Sequence, residues 1–82
     1  MTIFVLFNSI HDVLKAEKVL KEQSVEGEIV PVPRALSSDC GVCLKSEADG
    51  GLLTGLLSGI RGARCFVQEG AGYTPGCSRN QE

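Results

Sequence analysis

The sequence predicts an α+β domain with the ferredoxin-like βαββαβ arrangement, in which two helices cover one face of a four-stranded, mainly antiparallel sheet. Three observations predict it. Strand-like and helix-like segments follow one another in the order strand, helix, strand, strand, helix, strand over residues 1–69. The helical segments carry apolar residues at helical spacing, and the strand segments are short. Two closely spaced prolines place the second strand at a sheet edge, as this fold requires.

The first strand and the first helix have the clearest local signals. Residues 3–7 form a continuous apolar run that ends at Asn8, which is typical of a buried central strand. Ser9 is a good N-cap, and Asp12 stands three residues later, in a position like that of a capping box. The helix is expected to run to about Gln23. Its apolar stripe consists of Ile10, Val13, Leu14, Ala16 and Leu20.

The second and third strands are predicted over residues 28–32 and 42–45. Pro31 and Pro33 lie two residues apart, so both missing N–H groups face the same lateral side of the strand, which only an edge strand tolerates. A polar loop from Arg34 to Gly41 leads into the third strand. The first and third strands are therefore expected at the centre of the sheet, with the second and fourth at its edges.

The second helix is predicted between about Asp49 and Ile60, and the fourth strand over residues 63–68. The apolar stripe of this helix consists of Leu52, Leu53, Leu56, Leu57 and Ile60. Gly51, Gly55 and Gly59 form a line four residues apart, which indicates either a marginal helix or a flat surface for a partner. Residues 70–82 hold three glycines and Pro75 but little to bury. We therefore expect one domain over residues 1–69 and a mobile tail over 70–82.

Composition excludes several classes of function. The chain has 82 residues and a net charge of −2, so it has no basic excess with which to bind nucleic acid. The apolar run near the N-terminus is too short for a signal peptide or a membrane span, so we expect a cytoplasmic protein without a membrane partner. So short a chain has room for one modest core and little room for an enclosed active site. Homo-oligomerisation stays open.

The four cysteines are the unusual feature of the composition. Because cytoplasmic thiols are normally reduced, they are not expected to form two structural disulfides. Cys40 and Cys43 form a C-x-x-C motif, which can chelate a metal ion or close a redox ring. A second such motif is absent and the chain has one histidine, so no metal site and no cofactor are predicted. Cys65 is expected in the core and Cys77 in the tail.

Cys40 is the best candidate for exposed chemistry. It follows Ser37 and Ser38 in the polar loop and precedes Gly41, and successive backbone N–H groups in such a turn can bind an anion. Arg34 at the loop entrance favours a thiolate or persulfide, whereas the neighbouring Asp39 opposes it. The alternative is a surface loop with an incidental thiol. Cys43 is then either a resolving thiol for Cys40 or a core residue that faces the helices.

Three stretches together resemble a known family. They are the helix His11-Asp12-Val13-Leu14-Lys15-Ala16-Glu17-Lys18-Val19-Leu20-Lys21-Glu22, the strand Ile29-Val30-Pro31-Val32-Pro33-Arg34 and the loop Ser37-Ser38-Asp39-Cys40-Gly41. In this combination the chain resembles the putative selenium/sulfur (Se/S) carrier protein-like family over about residues 3–45. The resemblance implies a compact α/β domain that carries sulfur or selenium on a cysteine. The matched cysteine is Cys40, with Arg34 and Gly41 beside it. The other three cysteines, the glycine-rich second helix and the tail depart from the family's pattern.

The predicted function is therefore that of a carrier or accessory protein, not a stand-alone enzyme. Cys40 would hold a persulfide or perselenide, with Cys43 as candidate resolving thiol and Arg34, Ser37, Ser38 and Gly41 as binding surroundings. The resemblance implies a sulfur or selenium donor, such as a cysteine desulfurase, and an acceptor enzyme as partners. The alternatives are a non-catalytic protein-interaction module and a C-x-x-C metal-binding or redox-switch protein.

Overall fold

The computed structural model describes residues 2–36 and 41–75. Within these residues the strands are β1 (Ile3–Leu6), β2 (Glu28–Pro31), β3 (Val42–Ser46), β4 (Arg64–Glu69) and β5 (Gly72–Pro75). The helices are α1 (Ile10–Glu22) and α2 (Gly50–Leu56). The strands form one antiparallel sheet in the order β2-β3-β1-β4-β5. Neither described helix has the length and apolarity that crossing a membrane would take.

The predicted four-stranded ferredoxin-like sheet is wrong in the number and order of its strands. A fifth strand, β5, pairs with β4 from Glu69↔Gly72 to Phe66↔Pro75, so β4 lies inside the sheet and not at its edge. The connecting turn has Gly70 at a φ of +60°, as a two-residue hairpin turn requires. Residues 72–75, which were predicted as part of a tail, form β5, and residues 76–82 lie outside the described part.

The predicted edge position of β2 and the interior positions of β1 and β3 are confirmed. The predicted start of α1 is also confirmed, because the Ser9 hydroxyl accepts a hydrogen bond from the Asp12 backbone N–H at 3.3 Å. Three residues of the predicted stripe are buried, but Ile10 and Leu14 are 43% and 49% exposed. The buried face of α1 is thus narrower than its apolar spacing predicts.

The second helix is shorter than predicted. Its N-cap is Asp49, whose carboxylate accepts from the Leu52 N–H at 3.1 Å. The helix ends at Leu56, four residues before the predicted Ile60. A Cβ atom at Gly55 would meet nothing within 4 Å, so this glycine is not required by packing within the described chain. Its cost in helix stability accounts for the early end.

The two faces of the sheet carry separate apolar clusters, and β1 contributes to both because all four of its residues are buried. The helix-side cluster is built on Ile3, Val5, Phe7, Val13, Ala16, Leu20, Leu44, Leu53, Leu57 and Ile60. The cluster on the opposite face contains Phe4, Leu6 and Cys43. Leu36, which follows β2, packs against this second cluster, and Tyr73 of β5 meets Phe4 edge-on at 5.5 Å between ring centroids. The connection after β2 and the added strand thus help to cover the face without helices.

Candidate functional site

Strand directions bring several connections to one end of the sheet. Since β1 and β2 both run antiparallel to β3, the segments that follow β1 and β2 lie at the end where β3 and β4 begin. This end carries Arg34 after β2, Arg61 before β4 and Arg64 at the first position of β4. All three are exposed. We call it the arginine end.

Backbone pairing holds together the two ends of the connection between β2 and β3. Pro31 pairs with Val42, and the Val32 N–H donates to the Gly41 carbonyl oxygen at 3.2 Å. Gly41 is exposed and has a φ of +77°, a conformation that favours glycine. Arg34 is exposed in the turn that follows β2. The predicted site residues Ser37, Ser38 and Cys40 lie outside the described residues.

Cys43 is a buried part of the sheet. Its side chain is 0% exposed and belongs to the cluster on the face without helices, whereas Leu44 belongs to the helix-side cluster. Cys43 and Leu44 thus face opposite sides of the sheet, and the alternative in which Cys43 faces the helices is wrong. The Cys43 thiol lies 3.9 Å from the Pro31 carbonyl oxygen, to which it donates. Cys43 is thus packed inside the protein, where a docking partner does not reach its thiol.

Cys65 differs from the sequence-based expectation. It is half-buried in β4 and packs against the helix-side cluster, as predicted for a core residue. It is also disulfide-bonded, so the expectation of reduced cysteines is wrong at this position. The described cysteines are Cys43, which is not in a disulfide, and Cys65 itself. The other half of the bond therefore lies outside the described residues.

An apolar groove of about 470 Å³ lies between α2 and β4, and Cys65 lines it. Val5, Leu53 and Leu57 also line it, together with Ser58 and Arg64. The early end of α2 leaves this part of the sheet less covered. Among the described residues, no group of three or more histidine, cysteine or acidic side chains could hold a metal ion.

The described acidic residues that lie outside α1 are all found opposite the arginine end. They are Glu26, Glu28, Glu47, Asp49 and Glu69, with Lys45 directly opposite Glu28. The net charge of −2 hides this separation, and Arg61 and Arg64 were not among the site residues predicted from the sequence. The available signal was their place just before the fourth strand, because an antiparallel fourth strand has to begin where the second one ends.

Comparison with known proteins gives a family and no individual relative. No curated protein and no solved structure matches the chain. The family model described as Putative Se/S carrier protein-like matches residues 2–58. This span runs from just before β1 to just after α2 and contains Arg34, Cys40 and Cys43, but not Cys65 or Cys77. Because the match covers more than half of its length, the chain belongs to the Putative Se/S carrier protein-like family.

Proposed function

We propose that this protein carries sulfur or selenium as a persulfide or perselenide on Cys40. The observation that carries the proposal is the extent of the family match. It includes the connection with Arg34 and Cys40 and excludes Cys65 and Cys77. Of the four cysteines, Cys43 is buried and Cys65 is disulfide-bonded, so neither is placed to receive cargo from another protein.

The proposed step is a thiol exchange without net oxidation. The Cys40 thiolate attacks the terminal sulfur of a donor persulfide. A new S–S bond forms at Cys40, the donor's S–S bond breaks, and the donor cysteine leaves as a thiolate. A nucleophilic acceptor then takes the terminal sulfur by the same exchange and regenerates the Cys40 thiolate. A cysteine desulfurase is the class of donor that offers sulfur in this form.

The surroundings of Cys40 support an anionic cargo. The exposed guanidinium of Arg34 stands at one end of the connection, and Gly41, which has no side chain to obstruct a partner, stands at the other. Arg34, Ser37, Ser38 and Gly41 are the proposed binding residues. Cys43 takes no part in our scheme, because its burial and its hydrogen bond to Pro31 keep it inside the sheet.

The proposal requires that Cys40 keeps its thiol, so Cys65 has to be bonded to Cys77. The strand register supports this pairing. Pro75 pairs with Phe66, the residue next to Cys65, and Cys77 follows Pro75 by two residues. A disulfide needs Cα atoms within about 7 Å of each other. Cys40 instead precedes β3, which is separated from β4 by β1.

Sulfur loading tests the proposal. The protein is incubated with a cysteine desulfurase and cysteine, and its intact mass is measured. The mass of the wild type should rise by one sulfur atom, and Cys40→Ser should abolish the rise. The double variant Cys65→Ser/Cys77→Ser is the matched control and should load like the wild type. An unchanged wild-type mass, or equal loading of Cys40→Ser, would overturn the proposal.

A further inference from the structure

We propose that the arginine end is a docking surface for an acidic face of a partner protein. The first observation is the segregation of cation types. The three described arginines lie at this end, whereas the described lysines lie on α1, at Lys15, Lys18 and Lys21, and on β3, at Lys45. The inference is independent of the cargo, since Arg61 and Arg64 have no role in the sulfur exchange.

The described part of the chain leaves the guanidinium groups at this end open to a partner. Arg34, Arg61 and Arg64 are all exposed. Within residues 2–36 and 41–75 their guanidinium groups take part in no ion pair or hydrogen bond. Arginine presents a planar fork of donors that matches a carboxylate in a bidentate geometry, which the ammonium group of lysine does not. Carboxylates and phosphates are thus the two fitting counterparts.

The spread of the arginines favours an extended surface over a single small anion. Arg34 follows β2 and Arg64 begins β4, and two strands, β3 and β1, lie between these strands. Three strand spacings separate β2 from β4 by about 14 Å. One phosphate or one carboxylate would meet the guanidinium groups of both elements only if the side chains converged across this distance, whereas several carboxylates on a protein surface can meet each arginine where it stands.

A nucleic acid fits the surface less well than an acidic protein does. Single-stranded nucleic acids are usually held by exposed aromatic side chains on which the bases stack. The four aromatic residues of the chain are all described, and none of Phe4, Phe7, Phe66 and Tyr73 is exposed. The acidic residues at the opposite end of the sheet also repel a polyanion. The electric field of the same charge separation favours encounters in which the arginine end faces an acidic protein.

The test uses a fluorescein-labelled oligo-glutamate peptide as the probe, with binding followed by fluorescence anisotropy at low ionic strength. Arg61→Gln/Arg64→Gln should weaken binding at least about fivefold, on the scale of exposed ion pairs. Lys15→Gln/Lys18→Gln removes the same charge from α1 and should weaken it less than about twofold. Added salt should weaken the wild-type complex, because salt screens exposed charges.

Four results would overturn the inference. They are no peptide binding, an equal loss in both double variants, tighter binding of a single-stranded oligonucleotide than of the peptide, and full competition by equimolar inorganic phosphate. Sedimentation without peptide tests head-to-tail stacking of copies, and salt-sensitive oligomers would reassign the surface to a second copy. A low-molecular-weight persulfide should load Arg61→Gln/Arg64→Gln normally. Failed docking is therefore distinguishable from failed cargo binding.

Discussion

The thiol of Cys43 lies 3.9 Å from the carbonyl oxygen of Pro31, across the pair formed by β2 and β3. Val30 is its direct partner in the register, and its side chain is fully buried with Phe4 and Leu6. The second cysteine of the C-x-x-C motif is therefore part of the packing of the sheet. This relationship gives Cys43 a structural role.

Cys43→Ala is expected to destabilise the fold without affecting sulfur loading. Removal of a buried sulfur should lower the free energy of unfolding by about 1–2 kcal/mol, because it leaves a small cavity. Urea denaturation measures the stability, and intact mass measures the loading. Normal stability combined with lost loading would show that Cys43 acts chemically.

Gly62→Ala is expected to destabilise the fold through two effects. Gly62 has a φ of +78°, and a Cβ atom there would lie 2.8 Å from Cγ of the Asn8 side chain. Together these should lower the free energy of unfolding by roughly 1–3 kcal/mol. Gly70→Ala is the control, because Gly70 has a φ of +60° but open space around it. Equal losses in the two variants would show that contact with Asn8 costs nothing.

Ser46→Ala is expected to weaken the end of β3. The Ser46 side chain is 3% exposed. Its hydroxyl donates to the Glu26 carbonyl oxygen at 2.6 Å and accepts from the Ala48 N–H at 3.0 Å. Loss of both bonds should lower the free energy of unfolding by about 1–3 kcal/mol. Ser58→Ala removes an exposed bond to the Gly55 carbonyl oxygen and should cost less than about 0.5 kcal/mol. The ranking comes from urea denaturation, and a reversed order would contradict it.

The disulfide at Cys65 predicts a definite thiol count. Four cysteines with one bond inside the chain leave two thiols in the unfolded, unreduced monomer. In the native protein one of these should react slowly, since Cys43 is buried. Thiol titration with and without urea measures both numbers. Peptide mapping should then find Cys65 joined to Cys77, whereas a bond between Cys65 and Cys40 would leave no carrier thiol.

Arg34→Gln is expected to slow the reaction of Cys40. Loss of an exposed positive charge near a thiolate should reduce its alkylation rate at neutral pH by about two- to fivefold. Lys18→Gln removes the same charge from the exposed side of α1 and should leave the rate unchanged. The rate is followed by peptide mass spectrometry of Cys40. Similar slowing in both variants would assign the effect to net charge.

The parts of the fold with local signals could be predicted from the sequence. The Ser9 cap fixed the start of α1, and Pro31 and Pro33 identified the edge strand. β5 could not be predicted in this way, because Gly-Tyr-Thr-Pro has no apolar run. Its pairing with β4 and the contact between Tyr73 and Phe4 hold it in place, and both depend on residues distant in the chain.

The residues of the candidate site also fall into those that a local sequence pattern identifies and those that depend on distant parts of the chain. Arg34 and Cys40 stand six positions apart, so sequence reasoning could combine them. Arg61 and Arg64 join Arg34 only through the directions of β2 and β4. The burial of Cys43 against the face without helices depends on Leu36 and on the other strands. The sequence therefore pointed to the residues of one connection but not to the charge of the whole end.

The position of transferred sulfur decides whether Cys40 is the carrier residue. After loading by a cysteine desulfurase, persulfides are blocked with an alkylating reagent and located by peptide mass spectrometry. The added sulfur is expected on the peptide that contains Cys40, with none on those that contain Cys43, Cys65 or Cys77. Sulfur on any of the other three in place of Cys40, or no added sulfur, would contradict it.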